Sequence, residues 1–221
     1  MIVAIHQAEH IPWLGFFDKM RQADIFVILD NVQFTKNNFQ NRNRIIDQNQ
    51  ALHWLSVPVI TKNHLNKKFN DIEVSYNHNW QKRYLGKLHH CYSKQTNYKL
   101  YINLLQEIIL DDYKCIFDLN MAIINLFRNI FKIETPIILA STLQINGSSS
   151  ELLLNICKKL EAKIYLSGLG GMDYLKEEVF VQESILIKYH DFKHPLYTKN
   201  DCRYYLSSLD TIFTQFNEPY I

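Results

Sequence analysis

The chain reads as an α/β protein: a mainly parallel sheet flanked by helices, with a helical insertion in the middle of the chain. Three observations carry this. Short, wholly apolar runs recur toward both ends, as in strands buried on both faces. Amphipathic helical spacing follows several of these runs, as strand–helix–strand units require. The middle of the chain shows helical spacing alone.

Taken in order, Ile2 to Ile5 (IVAI) predicts a buried first strand. Pro12 takes the first helical position, and Trp13 to Ala23 carries apolar residues at helical spacing. Ile25 to Leu29 (IFVIL) predicts a second buried strand, parallel to the first and beside it. A polar, amide-rich stretch follows from Asp30 to Arg44. Leu52 to Val59 reads as a strand broken near Pro58, and Asp71 to Ser75 as a shorter one. Trp80–Tyr92, Lys99–Leu110 and Asn120–Phe131 each place apolar residues three and four apart, which predicts three helices. The β pattern returns at Thr135 to Ala140. Ser148 to Leu160 opens on capping serines and continues as a helix. Lys163 to Ser167 predicts a strand, Ile185 to Tyr189 another, and Tyr205 to Phe216 a last helix. No linker or repeat divides the chain. The organisation expected is one α/β domain over 1–221, with residues 78–132 as a helical insertion or lobe.

Composition narrows the function. At 221 residues and 47% apolar, the chain can build a core without disulfides or metals. The net charge of +2 balances 24 basic and 22 acidic residues, without the dense basic stripe of a DNA-binding surface. Cys91, Cys115, Cys157 and Cys202 show no CxxC spacing, and a reducing compartment is expected. The first residues lack a signal-peptide pattern, and no apolar stretch approaches the ~20 residues of a membrane span. The expectation is a cytoplasmic protein with no DNA partner and no membrane span. A homo-oligomer is left open.

Ligands of parallel α/β sheets collect beyond the carboxyl ends of the strands, and three polar segments fall there. His6, Gln7, Glu9 and His10 crowd the first turn, where an imidazole donates to phosphate or serves as acid or base. The alternative is a strand-end His6 and a His10 packed on Trp13. Asp30, Lys36, Asn41, Arg42 and Arg44 offer directional donors for phosphate, carboxylate or sugar hydroxyls. Alternation puts Asn41 and Asn43 on one face and Arg42 and Arg44 on the other, as in an exposed β-ribbon. The third segment, Gly168-Leu169-Gly170-Gly171-Met172-Asp173-Tyr174, lets backbone approach a ligand. It is neither a P-loop nor a dinucleotide fingerprint, and a plain tight turn is the competing reading. A later cluster, His190 to Tyr197, holds His194 extended before Pro195. No nucleophile elbow, HExxH or CxxC is present.

In combination these blocks resemble the WbqC-like protein family. His6-Gln7-Ala8-Glu9-His10-Ile11-Pro12-Trp13-Leu14-Gly15-Phe16-Phe17 is similar to its opening signature, and Asp24 to Phe34 with Asn41-Arg42-Asn43-Arg44 to its next block. Tyr165-Leu166-Ser167-Gly168, with Gly171, Asp173 and Tyr174, resembles a third. His194-Pro195-Leu196-Tyr197 and Leu206-Ser207-Ser208-Leu209-Asp210 resemble the closing elements. The chain departs from the pattern at Ala8, where proline is usual, at His10, where Tyr or Phe is favoured, and at Thr198-Lys199. The resemblance implies a place in O-antigen or related surface-polysaccharide biosynthesis more firmly than a reaction. A looser likeness, at the level of fold, connects the first strand, turn and helix to nucleotidyl transferases of the HIGH type.

The function expected is amide formation by acyl or aminoacyl transfer onto a nucleotide-linked amino sugar, by an N-acyltransferase or an amide-forming ligase. The alternatives are a non-catalytic binding protein of the same pathway and a metal-dependent hydrolase built on His6, His10 and His194. Expected catalytic residues are His6, His194 and Asp173. Expected substrate contacts are Gln7, His10, Asp30, Lys36, Asn41, Arg42, Arg44, Gly168, Gly170, Gly171, Tyr174 and Tyr197. No metal is required by these residues, the cofactor is unknown, and ATP or an acyl or aminoacyl donor stays open as second substrate.

Overall fold

The computed structural model describes residues 1–62, 67–194 and 206–214. In chain order the strands are β1 Ile2–Gln7, β2 Ile25–Leu29, β3 Arg42–Ile46, β4 Leu52–Ser56, β5 Ile137–Leu139, β6 Ile164–Gly168 and β7 Leu186–His190. The helices are α1 Leu14–Arg21, α2 Trp80–Tyr92, α3 Tyr98–Leu110, α4 Ile116–Ile130, α5 Ser149–Lys159, α6 Glu177–Gln182 and α7 Leu209–Thr214. Contacts between Cα atoms group these into two compact units: Met1–Gln7, Gly15–Asn31 and Ile133–Lys193 in the first, and Ala8–Leu14, Val32–Lys132 and His194–Ile221 in the second.

The first unit is built on a five-stranded sheet in the order β5-β2-β1-β6-β7, with every neighbouring pair parallel. This bears out the α/β fold class. β1 pairs with β2 from Val3↔Ile25 to Gln7↔Leu29, the adjacency that the apolar runs predict. Val3, Ala4 and Ile5, and Phe26 to Leu29, are all buried, because a strand covered on both faces needs no polar alternation. Phe16 of α1 closes on Phe26, with ring centroids 5.2 Å apart.

The strand order decides where a ligand goes. From β1 the chain steps outward to β2 and then β5, and only afterwards crosses to β6 and β7 on the other side. The two sets of connections leave β1 and β6 in opposite directions, which makes the carboxyl end between them the topological switch point. The pairing opens there. β1 and β6 are paired only from Ile2↔Ile164 to Ala4↔Leu166, while β1 runs on beside β2 to Gln7 and β6 beside β7 to Gly168.

In the second unit, β3 and β4 form an antiparallel two-stranded sheet, with Arg42↔Ser56 at one end and Ile46↔Leu52 at the other. α2, α3 and α4 fall within residues 78–132, where the helical insertion is expected. α4 carries an apolar face of Ile116, Leu119, Ile123, Ile124 and Phe127, all buried.

Several expected elements are corrected. Asp71 to Ser75 is not a strand: it makes only isolated bridges, Val59↔Val74 and Glu73↔Cys115, after a 3₁₀ turn at Phe69–Asp71. The first helix begins at Leu14, so Pro12 lies before it. Instead of starting the helix, the Pro12 carbonyl accepts the backbone N–H and the hydroxyl of Ser208, at 2.9 and 2.6 Å. α4 starts earlier than its spacing suggests, and α6 was not foreseen because its single buried side chain, Phe180, gives no period.

Candidate functional site

His6 and Gln7 stand at the carboxyl end of β1, and Gly168 at that of β6. Beyond the last β1–β6 pair, the Ile5 carbonyl is taken by a side chain: the Lys19 ammonium of α1 donates to it at 2.9 Å. Lys19 is only 3% exposed, an unusual state for a lysine, and its charge is delivered to the opened strand ends. His6 Nδ1 donates to the Gln7 carbonyl at 3.0 Å, which makes Nε2 the accepting nitrogen. The ring meets the edge of Phe16, centroids 5.2 Å apart. Burial first, and then the Lys19 ammonium, hold the His6 imidazole down at about 3, so His6 is neutral at pH 7.

The glycine turn has two characters. A Cβ placed on Gly171 would lie 2.2 Å from Ser167 Oγ and 2.9 Å from Leu175 Cδ1, so Gly171 is a packing requirement. Gly168 and Gly170 have open space where a side chain would stand, which leaves room for a ligand at the end of β6. Asp173 and Tyr174 are exposed at the end of the following 3₁₀ turn. Asp30, only 2% exposed at the end of β2, accepts the Ser141 N–H at 2.9 Å and ties the ends of β2 and β5 together.

The last strand adds residues that sequence reasoning passed over. His190 is register partner to Gly168, and its Nε2 lies 2.6 Å from Asp18 Oδ2 on α1. The same oxygen accepts the Gln22 amide at 2.7 Å. Neither Asp18 nor Lys19 is legible as a site residue, because both read as the polar face of an amphipathic helix. His190 lies within the late polar cluster, four residues before His194.

The second unit holds the other expected residues. His10 is fully buried: Nδ1 donates to Asn120 Oδ1 at 2.9 Å, and Nε2 accepts the Tyr84 hydroxyl at 2.8 Å. Both nitrogens are committed, which leaves none for a metal or a substrate. Burial holds the ring at about 4, hence neutral. Asn43 is also buried, and its amide donates to the carbonyls of His10 and Ile11 at 3.2 and 3.0 Å. Those bonds hold Ile11 at a φ of 41°, a costly conformation for a β-branched residue. The Ser207 N–H donates to the Arg44 carbonyl, so the LSSLD segment closes onto both the His10–Pro12 turn and β3.

On β3 the expected alternation holds: Asn43 is buried, while Arg42 and Arg44 are half-exposed on the opposite face. Arg42 stacks over Trp54 at 4.1 Å, and Arg44 lies 5.9 Å from the rings of both Phe39 and Trp54. Asn41 donates to the Val57 carbonyl at 2.9 Å, and Lys36 is exposed on the preceding loop. His194 is half-buried, and Tyr197 lies outside the described residues. Among the described residues no group of three or more His, Cys, Asp or Glu side chains is placed to hold a metal ion. No helix among them is long and apolar enough to cross a membrane.

The model of the WbqC-like protein family matches residues 7–219. The chain belongs to the WbqC-like protein family. The chain is similar to the uncharacterized protein Rv1507c of Mycobacterium tuberculosis (strain ATCC 25618 / H37Rv). It is 30% identical over 191 residues, covering 86% of this chain and 82% of the relative. No solved structure matches the chain. The WbqC-like blocks divide between the units: HQ and YLSG end neighbouring strands of the sheet, whereas HIPW, NRNR and LSSLD bond to one another in the second unit.

Proposed function

We propose that this WbqC-like chain forms an amide in surface-polysaccharide biosynthesis, by acyl or aminoacyl transfer onto a nucleotide-linked amino sugar. The observation that carries the reading is the opened end of β1 and β6, with His6 on one side and Gly168 on the other. Such an opening at a switch point is where open α/β sheets take small ligands. The amine nitrogen bonds to the acyl carbon, and the leaving group departs with the electron pair. No covalent enzyme intermediate is needed. Ser167 is buried with its hydroxyl on the Gly168 carbonyl, and burial raises the thiols of Cys91, Cys115 and Cys157, the last to about 12. Catalysis then rests on positioning and on hydrogen bonds to the developing charge. His6 contributes a neutral imidazole whose Nε2 accepts from the substrate. Arg42, Arg44 and Lys36, in the second unit, are cations of the kind that bind a diphosphate or carboxylate.

A second reading, non-catalytic capture of the nucleotide sugar, is favoured by one fact: an imidazole held at about 3 is a weak base at neutral pH. A paired measurement separates the two. Calorimetry reads the affinity of wild type and His6→Ala for a panel of nucleotide-linked amino sugars, and mass spectrometry reads acylated product with thioester, aminoacyl or ATP-plus-carboxylate donors. We expect His6→Ala to keep its fold and its affinity while product formation falls by about two orders of magnitude. Unchanged turnover in His6→Ala removes His6 from the chemistry. Sugar binding by wild type without product from any donor moves the reading to capture.

A further inference from the structure

The transfer described above releases a proton from the attacking amine, and His6 is poorly suited to take it. The sheet offers another group. His190 ends β7 beside Gly168, the residue that ends β6 at the opening. Its Nε2 donates to Asp18 Oδ2 at 2.6 Å, a short, charge-assisted bond. Asp18 is itself fixed, because the same oxygen accepts from Gln22 one helical turn on. A carboxylate on one imidazole nitrogen sets the tautomer, leaves the lone pair on the other, and stabilises the imidazolium that forms when a proton arrives. Here that other nitrogen is Nδ1, for which no bond to a described residue is seen, on a ring that is 5% exposed. Phe192 stacks on the ring at 6.1 Å and 17°, which restricts its rotation. Among the described residues, Asp18 of α1 pairs with His190 and His6 of β1 feels its charge; Lys188 and Asp191 flank it in sequence, and Glu177 of α6 is bonded to Tyr189, whose side chain leaves β7 on the opposite face.

We infer that His190, oriented by Asp18, is the proton-accepting group of the sheet-end site, with its Nδ1 directed to the amine that attacks the acyl donor. The nitrogen–carbon bond forms, the bond from that carbon to its leaving group breaks with the pair on the leaving group, and the amine proton passes to Nδ1. Asp18 remains a carboxylate and pairs with the imidazolium. This rests on the reading of the sheet edge as the acyl-transfer site, but the dyad is testable without the reaction.

Diethyl pyrocarbonate acylates an accessible, unprotonated imidazole nitrogen, and peptide mapping by mass spectrometry reads each histidine separately. His78 and His90, both exposed, serve as internal references. In the wild-type protein His190 is expected to be labelled at a rate comparable with His78 despite its 5% exposure, and fully buried His10 to resist. Asp18→Asn preserves size and is expected to slow labelling of His190 about tenfold or more relative to His78, since the tautomer and the forming charge lose their support. Asp18→Glu recovers part of the rate. Where product forms, Asp18→Asn lowers kcat by about two to four orders of magnitude with KM little changed. Failure to label His190 while His78 reacts, or equal labelling in wild type and Asp18→Asn, overturns the assignment. The expected labelling without product from any donor removes the acyl-transfer reading and leaves the dyad standing.

Discussion

His6 and His10 are both kept neutral by burial, yet they serve different ends. His6 sits at a strand end facing an opening, and His10 is a core bracket that holds the chain between Tyr84 and Asn120. The bracket has a consequence for stability. In the unfolded chain imidazole charges below the ordinary value of 6.5, whereas the folded His10 resists charging down to about 4. Between these values the unfolded chain binds more protons, so stability is intact above about 6.5 and is lost as pH falls toward 4. For His10 alone the loss at the lower end is on the order of 3 kcal/mol. Urea unfolding at pH 7.5 and at pH 4.5 is expected to show a lower midpoint in acid. His10→Gln, which keeps an amide for hydrogen bonding but cannot charge, is expected to start less stable and to lose less on acidification. An equal acid loss in both proteins would assign the effect to other groups.

Elements made of uninterrupted apolar residues were legible, and elements made by tertiary context were not. IVAI and IFVIL leave no alternative to a buried strand, and β1 and β2 lie side by side as expected. Asp71 to Ser75 alternates Ile72 and Val74 in the manner of a strand, but its neighbours meet it only at single bridges, so no ladder forms. The glycine turn after β6 reads from sequence as a place where backbone approaches a ligand or as a plain tight turn, and Gly168, Gly170 and Gly171 all have ordinary negative φ. Their value is spatial. Gly171→Ala forces the new methyl against Ser167 Oγ and Leu175, with Ser167 only 1% exposed, and is expected to cost about 1–3 kcal/mol. Gly170→Ala enters open space and should stay within about 0.5 kcal/mol of wild type. Chemical denaturation of the two variants checks the contrast. A Gly171→Ala protein as stable as Gly170→Ala would mean that the turn relaxes freely and does not hold the end of β6.

At the scale of the whole chain, sequence order told which strands exist and where their carboxyl ends lie, and this was enough to place His6 and Gly168 at a ligand edge. It did not tell that β7 returns beside β6, so His190 and its partner Asp18, 172 positions apart, had no sequence signal to join them. The topology also sets a hierarchy of local stability. β1 lies between β2 and β6, with Val3, Ala4, Phe26, Val27 and Ile28 at 0% exposure. The β3–β4 pair is two-stranded, with Leu52 and Trp54 exposed, and β7 is an edge strand with Leu186 exposed. Amides exchange with solvent by local or global opening, and the slowest belong to strands bonded on both sides and covered on both faces. Hydrogen exchange read by mass spectrometry should therefore show peptides of β1 and β2 exchanging slowest, β6 next, and β7 and the β3–β4 pair markedly faster. Within β1 protection should fall after Ile5, because from there the strand has β2 on one side and the opening on the other. Adding a nucleotide-linked amino sugar that binds is expected to slow exchange at His6, Gln7 and the residues from Gly168 to Gly171, and to leave α3 unchanged. Slowing confined to the β3–β4 pair would move the ligand away from the sheet edge, and protection of β1 that continues undiminished through Gln7 would contradict the opening on which the site depends.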